Sequence, residues 1–413
     1  MKNLQPKYHH FWIAYFLSLF LYSCNTNRSG SIAPKVDQKE PKDFSKQLDS
    51  LDRDLASIQT ENKLPGFAVA IFDKDKIFYQ KGFGYADLAA QKPYTPESVQ
   101  IIASVTKTLI GVSLMKAVEA GLLSLDDEIN DYLPFKVINP QFPDDPITIR
   151  HLASHTSSIA DTKKSDKGYR FESPLKKEDF AEAYHPILAL YNKTEKISMA
   201  DFLQYKLGDT GKWYEKEVFT ANRPGTTYKY SNLGATLLAY IVELVTKVPF
   251  YEYTTQYIFK PLNMSASTWN LKKVNPQKHV TYYNELLNEV PKYHIITYPD
   301  GGLYSSVADL TKYLQEMIKG YNGESELLTK DSFREMMSKQ SKVVDLPDGI
   351  CWDLSFSCCI GHAGNDFGTN TLMYFEPESG IGRILFTNIS LEKEELEEAF
   401  FEIFNTLFKY QFK

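Results

Sequence analysis

The chain has 413 residues, of which 43% are hydrophobic and 24% are charged, and 52 acidic against 46 basic residues give a formal charge of −6. These fractions are typical of globular proteins and exclude a disordered or low-complexity chain. The mildly acidic balance lacks the basic excess that marks nucleic-acid-binding proteins, so no nucleic-acid partner is expected.

The N-terminus carries an export signal. Lys2 and Lys7 precede an apolar run over residues 11–21. The run is shorter than the roughly 20 residues that span a bilayer, and it has the proportions of the hydrophobic part of a signal peptide. It ends in Leu21-Tyr22-Ser23-Cys24, which resembles a bacterial lipobox, so Cys24 is the expected lipidation site. An uncleaved anchor helix and a plain secretory signal are the alternatives, and each of them also implies export.

The chain is predicted to divide into three parts. Residues 1–24 form a lipoprotein-type signal peptide, and the polar residues 25–45 form a flexible tether because they contain almost nothing apolar to bury. Residues 46–413 form the folded domain. The predicted location is the periplasm or cell envelope, with a lipid anchor holding the protein to a membrane.

The first part of the domain alternates helical and extended patterns. Apolar residues recur at helical spacing between residues 48 and 58, and the run 67–72 predicts a buried strand with a hairpin partner from residue 77. A strongly apolar helix is predicted from Ser104 to Ala120. Residues from about 125 to 300 contain helical stretches with prolines at their joints, which predicts a helical insertion.

The last part returns to extended patterns. Strands are predicted at 360–364, 371–375 and 383–387, followed by an amphipathic helix with its apolar face from Leu396 to Leu407. Strands at both ends and a helical middle predict an α/β (α+β) fold. Its architecture is one antiparallel sheet flanked by helices, with an all-helical subdomain inserted.

Three cysteines, Cys351, Cys358 and Cys359, lie close together. In an oxidising compartment Cys351 is able to pair with Cys358 or Cys359, and buried unpaired side chains are the equal alternative. A zinc site is disfavoured because no second CxxC and no histidine at ligand spacing stand nearby.

The first chemical motif is Ser104-Val-Thr-Lys107, at the start of the long apolar helix. Positions three apart lie on one helical face, so the hydroxyl and the amine can meet. A desolvated lysine can serve as the base that serine needs to become a nucleophile. Alone, the pattern is weak, and a helix-capping serine with a solvated lysine explains it better.

Two further motifs follow. In Tyr230-Ser231-Asn232, a phenol near a lysine is able to relay protons, and the amide is able to hold a substrate carbonyl. In His362-Ala363-Gly364, the glycine allows a close backbone approach at a strand edge. Buried structural roles explain each of these motifs when it is taken alone.

The ordered set resembles the penicillin-recognising, β-lactamase-related serine hydrolases, which include class C β-lactamases, D,D-carboxypeptidases, esterases and D-aminopeptidases. Two more segments agree with that family, namely the stretch 151–159 and the Gly-Gly-Leu-Tyr-Ser-Ser turn from Gly301. The resemblance runs from about residue 50 to 413.

The resemblance implies roles for individual residues. Ser104 is the nucleophile that forms an acyl-enzyme, with Lys107 and Tyr230 sharing the work of the general base. Asn232 orients the substrate amide, and His362 and Gly364 line the binding strand. The backbone N–H groups of Ser104 and Asn365 form the oxyanion hole. No cofactor and no metal is expected, and the partner is a small ester, amide or peptide.

One departure affects the substrate class. His362 stands where β-lactamases and peptidases proper carry lysine, and histidine is mostly neutral near pH 7. The sequence therefore favours hydrolysis of esters, amides or D-amino-acid peptides, with weak or no β-lactamase activity. A non-catalytic penicillin-binding or sensor-like protein is one alternative, and a true class C-like β-lactamase or D,D-carboxypeptidase is another.

Two competing chemistries fail on the residues present. His151 and His155 have metal-ligand spacing, but Leu152 stands where the zincin pattern needs a glutamate, so a structural role is predicted for this segment. No GxSxG elbow occurs, which excludes an α/β-hydrolase.

Overall fold

The computed structural model describes residues 44–62, 64–162, 168–192, 196–340 and 348–412. Its strands are β1 (Gly66–Phe72), β2 (Ile77–Asp87), β3 (Lys92–Pro93), β4 (Val99–Ile101), β5 (Tyr169–Phe171), β6 (Tyr282–Tyr283), β7 (Glu289–Val290), β8 (Tyr293–Ile295), β9 (Tyr304–Ser306), β10 (Ile360–Asp366), β11 (Thr369–Glu376) and β12 (Ile381–Thr387). Its helices are α1 (Ser45–Glu61), α2 (Lys107–Glu119), α3 (Ile149–Ala153), α4 (His185–Tyr191), α5 (Met199–Leu207), α6 (Asn232–Thr246), α7 (Phe250–Thr254), α8 (Tyr298–Gly301), α9 (Val307–Asn322), α10 (Lys330–Met336) and α11 (Glu394–Lys409). Cys24, the signal peptide and nearly all of the tether lie outside the described residues.

Both ends of the domain contribute to one antiparallel sheet, as predicted. Six strands lie in the order β10-β11-β12-β1-β2-β3, with β1 paired to β12 across more than 300 residues of chain. All residues of β1 and β12 are buried, because helices cover both faces of the sheet at this point. The α/β class and the antiparallel sheet flanked by helices are confirmed.

Two adjacent residues of β2 show where the covering helices lie. The Tyr79 hydroxyl donates to Asp52 of α1, and the Gln80 amide donates to Thr311 of α9. Neighbouring side chains of a strand point to opposite faces, so α1 and α9 cover opposite faces of the sheet. Helix α11 shares the face of α1, where Tyr410 donates to Asp54.

Between about residues 125 and 300, the described chain contains helices α3 to α8 joined by turns and irregular segments, and it also contains short strands. Strands β5 and β8 pair, as do β6 and β7, and β4 pairs with β9. These pairs are two or three residues long, too short to produce a readable alternation in the sequence. Helices α2 and α6 pack against each other and are almost entirely buried over their N-terminal halves, which places the starts of the two helices side by side.

Strand β10 forms one edge of the sheet and lies against a tight 3-10 turn, Ala103–Thr106, that leads into α2. Gly364 makes this contact possible, since a Cβ there would stand 2.5 Å from the carbonyl oxygen of Ile102 and 3.0 Å from the backbone nitrogen of Ser104. Ala103 has a left-handed φ of 46°, which is uncommon for a residue with a side chain. The edge strand and the turn that carries Ser104 therefore lie directly against each other.

The three cysteines of the described chain are free thiols. Cys351 is buried in the core, where burial raises the pKa of its thiol to about 12. Cys358 and Cys359 hydrogen-bond to each other just before β10. Of the two alternatives for this trio, the structure has the unpaired one.

No single helix in the described ranges is long and apolar enough to cross a membrane. One pair of consecutive helical segments, Asn232–Thr246 and Phe250–Phe259, together has the length and apolar composition of a membrane span, but the two segments are bent by 80° relative to each other.

Candidate active site

Ser104 lies on the 3-10 turn at the start of α2, as the motif predicts. Its side chain is partly exposed, whereas the flanking Ala103, Val105 and Thr106 are buried. The turn anchors the apolar neighbours in the core and leaves the hydroxyl facing the cleft. This is the exposure that a nucleophile requires.

Lys107 is the best-connected side chain of the site. It is 0% exposed, and its ammonium nitrogen donates to Ser104 Oγ at 3.0 Å, to Asn232 Oδ1 at 2.7 Å and to the backbone oxygen of Asp300 at 2.6 Å. An ammonium group has three protons, so all of them have an acceptor. The predicted contact between Lys107 and Ser104 exists, and Asn232 joins it from the start of α6.

Tyr230 completes the cluster. The Lys107 nitrogen lies 5.0 Å from the centroid of its ring. Burial raises the pKa of the Tyr230 phenol, while the charge of Lys107 and hydrogen bonds with Lys107 and Ser104 act in the opposite direction. The phenol therefore holds its proton near neutral pH in the resting site and is placed to exchange it with Lys107.

His362 lies on β10 close to these groups and is 7% exposed. Its ring centroid is 6.3 Å from that of Tyr230, and its Nδ1 donates to the backbone oxygen of Ala363 at 2.5 Å. Burial, with a further contribution from the nearby charge of Lys107, lowers the pKa of His362 to about 4. The imidazole is therefore neutral at physiological pH, with its proton on Nδ1 and with Nε2 free to accept a hydrogen bond.

The expected oxyanion hole involves the turn and the edge strand. Gly364 brings β10 against the backbone nitrogen of Ser104, and Asn365 follows it. The Asn365 side chain donates to Asn370 Oδ1 at 2.6 Å across the β10–β11 pair. The pairing of the N–H groups of Ser104 and Asn365 as an oxyanion hole stays a prediction.

Asp161 is a site-supporting residue that the sequence analysis missed. Its carboxylate accepts hydrogen bonds from the backbone N–H groups of Asn232 and Leu233, both at 2.9 Å, and from the Ser231 hydroxyl at 3.2 Å. A carboxylate at a helix N-terminus satisfies free N–H groups and complements the helix dipole. Asp161 therefore fixes the segment that presents Tyr230 and Asn232.

Asp300 was also missed. Its backbone oxygen accepts from Lys107, and its carboxylate accepts from Thr236 at 2.8 Å. Burial raises the pKa of Asp300 to about 7, although the charge of Lys107 opposes this. The only signal for Asp300 in the sequence is its position directly before the Gly301-Gly302 turn.

The two histidines of the stretch 151–159 have structural roles, as predicted. His151 and Thr148 exchange reciprocal hydrogen bonds at the start of α3. His155 is buried, its Nδ1 accepts from the Ser231 N–H at 3.3 Å, and its ring centroid lies 4.4 Å from that of Tyr230. Burial and the nearby Lys107 keep the pKa of His155 well below its usual value. Across the described ranges, no group of three or more potential ligand side chains is placed to hold a metal ion.

We expect Lys107→Ala to abolish acylation of Ser104, because it removes the amine that contacts the nucleophile. It also leaves Asn232 Oδ1 and the Asp300 carbonyl without their donor, which lowers the free energy of unfolding by about 1–3 kcal/mol per acceptor. Covalent labelling of Ser104 and thermal unfolding measure the two effects. Lys116→Ala is the matched control, since Lys116 lies on the same helix and donates to the Leu327 carbonyl at 2.9 Å, away from the site. Wild-type labelling of Lys107→Ala would contradict the assignment.

We expect Asp161→Ala to lower the free energy of unfolding by about 1–2 kcal/mol, because the start of α6 loses its acceptor. The labelling rate of Ser104 should fall with it, since Tyr230 and Asn232 lose their fixed position. Asp161→Asn keeps one acceptor oxygen and should fall between the wild type and Asp161→Ala in both measurements. Equal labelling rates for all three proteins would show that the cap does not position the site.

Comparison with known proteins identifies the family. The family described as Beta-lactamase matches residues 51–407. The chain is 24% identical to Protein flp of Staphylococcus aureus strain MW2 over 85% of this chain and 64% of that protein. It is 29% identical to the mitochondrial serine beta-lactamase-like protein LACTB of Mus musculus, over 67% of this chain and 58% of that protein. The chain thus spans about three fifths of these relatives' length.

A solved structure shows the same fold. The octameric penicillin-binding protein homologue from Pyrococcus abyssi superposes with a TM-score of 0.68 at 24% sequence identity, covering 88% of this chain and 78% of that one. The chain belongs to the Beta-lactamase family, whose members are generally serine hydrolases.

Proposed function

We propose that this protein is a serine hydrolase that forms an acyl-enzyme on Ser104. The observation that carries the proposal is the buried ammonium of Lys107, 3.0 Å from Ser104 Oγ and fixed by Asn232 and Asp300. Burying a cation costs several kcal/mol unless it is well hydrogen-bonded, and here three acceptors from separate parts of the chain hold it beside Ser104. A solvated lysine beside a capping serine, the structural alternative for the motif, does not describe this arrangement.

The reaction follows from these contacts. The reactive form of the site is the one in which the Lys107–Tyr230 pair has lost one proton. In that form Ser104 Oγ bonds to the carbonyl carbon of an ester or amide, and its proton passes to the pair. The bond to the leaving group then breaks, and the pair returns the proton to the departing oxygen or nitrogen. Water attacks the acyl-enzyme by the same route in reverse, which releases the carboxylic acid and restores Ser104.

The neutral state of His362 supports the choice of substrate. A β-lactam or a terminal D-alanine presents a carboxylate, which a permanent cation on this strand would bind. With its pKa lowered to about 4, His362 offers hydrogen bonds but no charge at neutral pH. Esters and amides without a carboxylate at this position are therefore the proposed substrates, with D-amino-acid peptides as one candidate class.

A fluorophosphonate probe tests the acyl-enzyme step directly. The wild type should be labelled on Ser104, Ser104→Ala should not, and p-nitrophenyl esters of short acids should be turned over by the wild type alone. Absence of a covalent adduct and of ester turnover in a folded wild-type protein would favour a non-catalytic, sensor-like protein. Labelling at a residue other than Ser104 would refute the assigned nucleophile.

We expect weak or no nitrocefin hydrolysis by the wild type, and His362→Lys should raise the rate of acylation by nitrocefin by about ten-fold. The reason is that a lysine supplies the missing cation for the β-lactam carboxylate, and one charge-assisted hydrogen bond is worth about one to two orders of magnitude. Stopped-flow absorbance measures the rate, and His362→Gln, which stays neutral, is the control. Nitrocefin turnover typical of a dedicated β-lactamase in the wild type would refute this substrate class and favour a class C-like enzyme.

Export and lipidation at Cys24 remain part of the proposal. They are supported by the lipobox-like Leu21-Tyr22-Ser23-Cys24 and the polar stretch that follows it. Under this proposal the hydrolase acts from a membrane anchor in the periplasm or cell envelope.

A further inference from the structure

The end of strand β10 beyond the catalytic contacts carries an acidic side chain. In a strand, alternate residues face the same side, so Asp366 shares the side of His362 and Gly364. The β10–β11 register runs without a bulge from Ile360 to Asp366, so this alternation is not interrupted. Asp366 lies two positions after Gly364, about 6.6 Å farther along the edge that borders the nucleophile turn.

Asp366 is held in place by neutral donors. Its Oδ1 accepts from the Tyr169 hydroxyl at 3.0 Å and from the Phe367 N–H at 2.8 Å. No lysine, arginine or histidine of the described ranges forms an ion pair with it, and its side chain is only partly buried. Burial raises the pKa of Asp366 to about 6, with the charge of Lys107 opposing the shift, so the group is ionised at neutral pH.

The tyrosine that donates to this carboxylate, Tyr169, belongs to a cluster of aromatic rings. Phe171 and Tyr169 are half-buried and lie on β5, next to the buried rings of Tyr191, Tyr293 and Phe367. The Tyr169 ring centroid is 5.3 Å from that of Tyr191 and 5.5 Å from that of Phe367. Phe171 lies 5.5 Å from Phe367. A carboxylate with no ion-pair partner among the described residues, next to a cluster of aromatic rings, is a combination suited to binding an ammonium group.

The charges of the cleft are therefore unequal at its two ends. At the His362 end there is no charge to attract a substrate anion. At the Asp366 end there is an acid that forms no ion pair with any residue the structure describes. Lys107, the cation between them, is fully engaged by its three acceptors. A substrate lying along β10 across Ser104 would find its electrostatic partner at the Asp366 end.

We propose that Asp366, together with Tyr169 and Phe171, forms a subsite for an ammonium group on the substrate, so that the preferred substrates are esters or amides bearing a primary amine. This inference rests on the proposed hydrolase function and specifies its substrate class. Asp366 is a specificity-determining residue in this view and takes no part in the bond-breaking steps. Its alternative role is purely structural, as the acceptor that holds Tyr169.

The test compares two p-nitrophenyl esters of equal length, the 6-aminohexanoate and the heptanoate, which differ by an ammonium in place of a methyl group. We expect the wild type to have at least a ten-fold higher kcat/KM for the amino ester. Asp366→Asn keeps both hydrogen bonds to Tyr169 and Phe367 and removes only the charge, and it should reduce the ratio of the two kcat/KM values by about ten-fold, mainly through KM. Glu172→Gln, which removes an exposed charge just after β5, is the matched control and should leave the ratio unchanged.

The outcomes separate the two proposals. Turnover of both esters without preference in the wild type, or an unchanged ratio in Asp366→Asn, would overturn the ammonium subsite and leave the hydrolase standing. An equal fall of the ratio in Glu172→Gln would assign the preference to the general field of the protein and would also overturn the subsite. Absence of turnover of either ester by folded wild-type protein would overturn both proposals.

Discussion

The architecture of the site depends on one buried ammonium group. Lys107 joins three segments that are far apart in the chain, because its acceptors are Ser104, Asn232 and the Asp300 carbonyl. Taking an ion out of water costs several kcal/mol, and hydrogen bonds to a charged group return about 1.5–3 kcal/mol each. The three acceptors are therefore sufficient to hold the charge, and loss of any of them would leave it undercompensated. The starts of α2 and α6 and the short helix α8 are held together at one point by this requirement.

Burial and the charge of Lys107 together determine the protonation of the neighbouring groups, with burial as the larger cause. The charge lowers the pKa of His362 in addition to burial, and it opposes the effect of burial on Tyr230 and Asp300. The result is a neutral imidazole and a protonated phenol around one cation. A second positive charge at the position of His362 would be repelled by Lys107, and the neutral histidine avoids this repulsion. The neutral histidine also removes the attraction for substrate carboxylates.

Local patterns made part of the fold and site predictable. The continuous apolar run of β1 and the amphipathic face of α11 arise from contacts that each segment makes with the core, and the spacing of Ser104 and Lys107 arises from helix geometry. The strand pairs β5–β8 and β6–β7 were not predictable, because two or three residues carry no period. Three aspartates were missed for a different reason, namely Asp161, Asp300 and Asp366. Each of them hydrogen-bonds to a residue more than 60 positions away in the chain, and no local sequence pattern indicates such a contact.

Strand β10 shows how an edge can serve both architecture and selection. Its inner partner β11 satisfies one side of its backbone. On the other side Gly361 is bridged to Asp353, and the strand beyond it approaches the turn of Ser104. Because Gly364 has no side chain, this edge can approach the turn of Ser104 closely. His362 before it and Asp366 after it have side chains on the same face of the strand. The glycine position thus serves the close approach to Ser104. The two flanking positions are free to determine which substrates are accepted. Under the proposals made above, a neutral group on one flank and an acid on the other would select against carboxylates and for amines, without any change in Ser104, Lys107 or Tyr230.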